Sequence, residues 1–140
     1  MRYPVVIYKD IDSDYGVTVP DLPGCFSAGT SIDEALEEAV EAIECHVEGL
    51  LIDNEGIPLP IAIERHKENP DFADGIWALV DIDLSKLSGK TRRINVTIPE
   101  RILKRIDDCA SRQGESRSGF MTTAAIEYMA AVTDAGEALC

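Results

Sequence analysis

Apolar and polar residues follow two rhythms along this chain. Tyr3 to Tyr8 is an almost continuous apolar run and Tyr15 to Val19 a second. The turn-forming stretch Asp10-Ile11-Asp12-Ser13-Asp14 separates them, a pattern that predicts a β-hairpin. Pro20-Asp21-Leu22-Pro23-Gly24 makes a rigid loop, after which Cys25-Phe26-Ser27-Ala28 supplies a third short strand that Gly29 ends. The period then changes to 3.6. Ser31 with Glu34 three residues on is a capping-box pattern, with Thr30 and Asp33 as the alternative frame, so a helix begins near Ile32. Ile32, Ala35, Leu36, Ala39, Val40, Ile43, Val47, Leu50 and Leu51 give it one apolar stripe to lay on the sheet, and Asp53-Asn54-Glu55-Gly56 closes it. Ile57-Pro58-Leu59-Pro60 is a stiff extended connector, residues 64–75 read as loop, and Ile76 to Ile82 is a fourth strand rich in β-branched and aromatic residues. Residues 1–85 thus form a β-β-β-α-β module, followed by a linker at 86–90 within the Ser- and Gly-containing stretch that starts at Asp83.

Beyond the linker the pattern restarts. From Thr91 to Pro99, Ile94, Val96 and Ile98 alternate with Arg93, Asn95 and Thr97, which reads as one strand with an apolar and a polar face. Pro99 stands where a first helical residue should, and Ile102, Leu103, Ile106 and Ala110 mark a short amphipathic helix that stops before Gly114. Ser116 caps a second helix through Phe120, Met121, Ala124, Ala125, Tyr128, Met129 and Val132. A lone strand leaves its backbone groups unpaired and its apolar face bare, so the simplest completion of residues 91–135 is a second copy. Two chains paired antiparallel would form a ribbon over four helices and project Arg93, Asn95 and Thr97 twice on the outside. Such a ribbon fits the major groove, where Arg reads guanine, Asn reads adenine, and Thr offers a hydrogen bond or a methyl contact. The start of the second helix, with Ser116, Arg117 and Ser118, is placed to hold a backbone phosphate.

Charge sharpens this division. Residues 1–90 hold 6 Lys and Arg against 19 Asp and Glu, a net −13, whereas residues 91–140 balance at 7 and 7. All seven of those bases lie within 91–117, beside only Glu100, Asp107, Asp108 and Glu115. The second part suits a polyanion, while the first would repel one and attract a basic partner. Glu34, Glu37, Glu38, Glu41, Glu44 and Glu48 form an acidic strip along the first helix, which with the Asp21 loop is a candidate partner surface. Cys25, Cys45, Cys109 and Cys140 are too scattered for a metal site, His46 and His66 stand isolated, and no pattern calls for a cofactor. The N-terminus turns charged at Lys9 and Asp10, too soon for a secretory signal, and no apolar run reaches the roughly 18 residues of a membrane span. The expectation is a cytoplasmic protein that makes no membrane contact.

Arg93-Ile94-Asn95-Val96-Thr97-Ile98-Pro99 with Gly114-Glu115-Ser116-Arg117-Ser118 resembles the ribbon-helix-helix repressors of the Arc and MetJ type over the last third of the chain. Asp14-Tyr15-Gly16-Val17-Thr18-Val19-Pro20-Asp21-Leu22-Pro23-Gly24-Cys25, followed by Ser31-Ile32-Asp33-Glu34-Ala35-Leu36 and the Glu-rich helix, resembles the HicB antitoxins over residues 3–63. That resemblance implies an α+β chain whose first domain is a truncated ribonuclease-H-like fold. It also implies a non-enzymatic protein that masks HicA, a small basic RNA-cleaving toxin, and represses the shared operon through operator DNA. The homodimer is the minimum assembly, and a tetramer of such dimers is compatible with the sequence. Two other functions use the same residues: a ligand-responsive ribbon-helix-helix transcription factor, and a metal-dependent nuclease built on Asp10, Asp12, Asp14 and Asp21. The nuclease is disfavoured because three of those aspartates cluster in one turn, where Asp commonly serves turn geometry.

Overall fold

The computed structural model describes residues 1–87 and 91–134. Residues 88–90 of the expected linker, residue 135 of the expected second module, and Cys140 lie outside the described residues. The chain divides into two compact units, Met1–Ile82 and Asp83–Cys140. It is a mixed α+β protein.

The first unit is built on a four-stranded antiparallel sheet. Strands β1 (Arg2–Lys9), β2 (Tyr15–Thr18), β3 (Phe26–Gly29) and β4 (Ile76–Asp81) lie in the order β3-β2-β1-β4. Tyr3, Pro4, Val5, Val6 and Ile7 are all buried, so β1 is covered on both faces, which explains its continuous rather than alternating apolar run. Ile7, Val17 and Ser27 are register partners across the sheet, and Ser27 Oγ donates to the Ala35 carbonyl at 3.1 Å. That contact lays helix α1 (Ile32–Ile52) over their face of the sheet.

Ser31 is the cap of α1, its Oγ accepting from the Glu34 amide at 3.1 Å, and the Thr30 frame is not used. Glu34 does not complete the capping box; its carboxylate accepts from Thr30 Oγ1 instead. Only Ala35, Ala39, Ile43 and Val47 of the expected stripe are fully buried, while Ile32 and Leu51 are exposed. Small residues there let the helix approach closely: a Cβ on Gly29 would fall 2.4 Å from the Ala35 nitrogen. Ser31→Ala is expected to cost about 1 kcal/mol of stability, read as a lower urea midpoint at unchanged slope.

Residues 64–75 are not the loop expected. They contain a short helix α2 (Ile63–His66) and a 3-10 turn (Pro70–Phe72). Asn69 caps that turn through the Asp71 amide, and Pro70 fills its first position, a local signal that a reading by apolar periodicity passes over. Val6 and Tyr8 face this segment: a Cβ on Gly75 would lie 2.2 Å from Val6 Cγ2, and Tyr8 Oη donates to the Asp71 carbonyl.

In the second unit the order is a 3-10 turn (Leu84–Lys86), helix α3 (Glu100–Arg112) and helix α4 (Arg117–Asp134). The division at Ile82 and Asp83 falls before the expected end of the first domain at residue 85. The expected linker stretch therefore opens with ordered structure, since Asp83 accepts from the Ser85 amide and Leu84 is buried. Burial opposes ionisation of Asp83, but the two Ser85 hydrogen bonds and the Lys86 charge outweigh it and hold the carboxyl below its ordinary value.

Candidate functional site

The polar and basic residues singled out near the C-terminal end fall in this second unit. Pro99 lies one residue outside the helix rather than at its first position; with φ −53° and ψ 135° it is the cap of α3, and its carbonyl accepts from the Ile102 and Leu103 amides. Gly114, at φ +70°, makes the left-handed step that ends α3, where a side chain would be strained. Ser116 then caps α4, its Oγ accepting from the Gly119 amide at 3.0 Å.

Residues 91–99 form no strand in the single chain, contrary to the strand expected there. A strand is defined by its ladder partner, and none of the described residues pairs with this segment. Two of its three apolar members are left bare: Ile94 is 73% and Val96 59% exposed, while Ile98 is half-buried; on α4, Tyr128 is 72% exposed. The segment runs beside an open cavity of about 1080 Å³, whose apolar wall includes Leu84, Ile98, Leu103 and Met121. Arg93, Asn95, Ser116, Arg117 and Ser118 line the same cavity, so five of the six proposed DNA contacts are brought together. Thr97 is not on its wall, although it is exposed.

Arg117 is not a free cation. Its Nε and Nη2 donate to the two carboxylate oxygens of Asp107 at 2.8 and 2.9 Å. Those hydrogen bonds hold the Asp107 carboxyl below its ordinary value and raise the Arg117 guanidinium above its own.

The aspartates raised as a nuclease set do not converge. Asp10, Asp12 and Asp14 are exposed on the β1–β2 turn, whereas Asp21 is buried. Asp21 Oδ1 accepts from the Ile61 amide at 3.1 Å and lies 3.0 Å from His66 Nε2, and its Oδ2 has no partner among the described residues. His66 is therefore not isolated. It also stacks on Trp77 at 6.0 Å between ring centroids, with Phe72 edge-on to both. Nearby, Tyr3 Oη donates to the Pro58 carbonyl at 2.7 Å, and burial, reinforced by the Asp21 charge, pushes the Tyr3 hydroxyl well above its ordinary value. Asp21 therefore fastens the 57–66 segment to the sheet rather than presenting a carboxylate at the surface.

Along α1, Glu34, Glu37, Glu38 and Glu41 are exposed and Glu44 and Glu48 half-exposed. Cys25 is buried, which raises its thiol above the ordinary value, and Cys45 is exposed; among the described residues no cluster of three His, Cys, Asp or Glu could hold a metal. No helix among the described residues is long and apolar enough to cross a membrane.

Comparison with known proteins places this architecture. A protein of Haemophilus phage HP1, described as an uncharacterized 14.9 kDa protein in the rep–hol intergenic region, is 44% identical over 124 residues, covering 87% of this chain and 92% of its own. The crystal structure of the antitoxin HicB of Burkholderia pseudomallei is similar at a TM-score of 0.77 and 43% identity, over 91% of this chain and 98% of that one. A chain of the HicA3 and HicB3 toxin–antitoxin complex matches at a TM-score of 0.52 and 31% identity, over 59% of this chain and 99% of its own. Residues 3–125 match the model of the HicB-like antitoxin of bacterial toxin–antitoxin systems, and the chain belongs to that family.

Proposed function

We propose that this antitoxin neutralises a HicA-like toxin through residues 1–85, a truncated ribonuclease-H-like domain, and represses its own operon through a C-terminal ribbon-helix-helix dimer. The bare, unpaired segment at 91–99 carries the second half of this reading. Ile94 and Val96, exposed on the wall of the open cavity, call for cover, and the unpaired backbone of the segment calls for a ladder. A second copy of the same segment supplies both. Arg93, Asn95 and Thr97 then face a major groove, with Ser116, Arg117 and Ser118 at the flanking phosphates.

The toxin half is supported by likeness to a chain of the HicA3 and HicB3 complex and by the net −13 of residues 1–90. An acidic partner speeds encounter with a basic toxin, and salt slows it, because exposed charges are screened beyond about 8 Å at physiological ionic strength. A folded fragment of residues 1–85 is expected to bind the toxin and abolish its RNA cleavage, with an association rate that falls as salt rises. A folded fragment that leaves the toxin active would place neutralisation elsewhere.

For the DNA half, Arg93→Ala and Asn95→Ala are each expected to cost about 1 to 3 kcal/mol on operator DNA and to relax sequence preference. Dimerisation should be untouched, since neither side chain belongs to the apolar face. Titrations of operator and scrambled duplexes read both effects. Unchanged operator affinity in both variants, with dimers intact, would leave the C-terminal unit as a dimerisation element only.

A further inference from the structure

The geometry of Arg117 carries a consequence for how strongly the protein grips DNA, given the DNA-binding reading above. A guanidinium holds a phosphate by two parallel N–H donors, and it holds a carboxylate the same way. In the single chain that two-donor edge is already filled by Asp107, reaching across from α3 with both oxygens. Both side chains are open to solvent, at 55% and 42% exposure, so an incoming anion could displace the carboxylate without unfolding anything. The neighbouring Asp108 differs: it pairs with Lys104 one turn back on the same helix, through a single 3.2 Å contact.

A phosphate approaching Arg117 meets one of two costs. Either Asp107 gives up its pair, or it stays and places a second negative charge beside the phosphate. Base edges carry no such charge, so contacts from Arg93 and Asn95 are not opposed in this way. We propose that Asp107 is an internal competitor for DNA phosphate at Arg117, lowering affinity for the DNA backbone while leaving base reading intact.

Asp107→Asn keeps the side-chain shape and removes the charge. In the full-length protein it is expected to tighten binding to operator and scrambled duplexes by the same factor, about 3- to 10-fold at low salt. The ratio between the two duplexes should stay constant, and the salt dependence should steepen by up to about one unit of log–log slope. In an Arg117→Ala background the same substitution should change little, because its target is gone. Asp108→Asn, which removes the same formal charge, should give a clearly smaller rise. Wild-type binding with Asp107→Asn unchanged or weaker would overturn the inference, since Asp107 would then orient Arg117 or play no part. Equal gains from Asp107→Asn and Asp108→Asn would overturn it too, as a general charge effect. Failure of the wild-type protein and every variant to bind either duplex would sink the DNA-binding reading itself, and the inference with it.

Discussion

Replacing Asp21 with alanine is expected to destabilise the first unit by about 3 kcal/mol, enough to lower its melting temperature by roughly 10 °C or more. Asp21 is the single buried charged residue among those described, and its Oδ1 serves both the Ile61 amide and His66 Nε2. Truncation removes the oxygen that both contact and leaves the part-buried Ile61 amide and the half-buried His66 ring nitrogen without this partner. The cost stays below that of breaking a fully enclosed ion pair for two reasons: His66 keeps 13% exposure, and the bare Oδ2 is itself a penalty that the variant removes. Asp21→Asn retains an acceptor for the Ile61 amide and should cost about 1 kcal/mol. His66→Ala should fall between them, losing the hydrogen bond together with the stack on Trp77. Thermal denaturation followed by near-UV circular dichroism, which senses Trp77, would rank the three. If Asp21→Ala melts within a degree of wild type, the 57–66 segment is not held through this carboxylate.

The same residues show what a sequence can disclose about such a protein. Helix α1 was legible because its signals are local: Ser31 caps it, the apolar stripe has one period, and Asn54 takes the left-handed step at its end with φ 54°. The four strands of the sheet were legible to within a residue or two for the same reason, whereas the strand expected at 91–99 finds no ladder partner among the described residues. The order of those four was not. β4 lies beside β1, about 70 residues away, and only the tertiary register of Tyr3 with Val80 and Val5 with Ala78 fixes that pairing. Asp21 and His66 are 45 residues apart, so a reading confined to neighbours finds His66 alone and Asp21 as one more loop acid. Arg117 and Asp107 meet only because the Gly114 turn folds α4 back against α3. Local rules report a residue's propensity, whereas its partner depends on how distant segments are brought together.

Val96→Asp offers the sharpest separation of the two units. On an isolated chain Val96 is 59% exposed, so aspartate there would be solvated and should change stability by no more than about 0.5 kcal/mol. In the proposed dimer the same position lies on the apolar face that two paired strands press onto four helices. Two-fold symmetry then buries two unpaired carboxylates at once, each costing several kcal/mol by rough estimate. Dimer dissociation should therefore rise by about 1000-fold or more. Operator binding should be lost with it, because one strand cannot form the ribbon that enters the groove. The sheet and α1 belong to the first unit, Met1–Ile82, which includes none of residues 91–99, so the variant should remain folded there and still neutralise the toxin. Sedimentation equilibrium, operator titration and a toxin cleavage assay on one preparation would measure all three. A Val96→Asp protein that stays dimeric at micromolar concentration would show that residues 91–99 are not the pairing element, whatever the DNA titration reads.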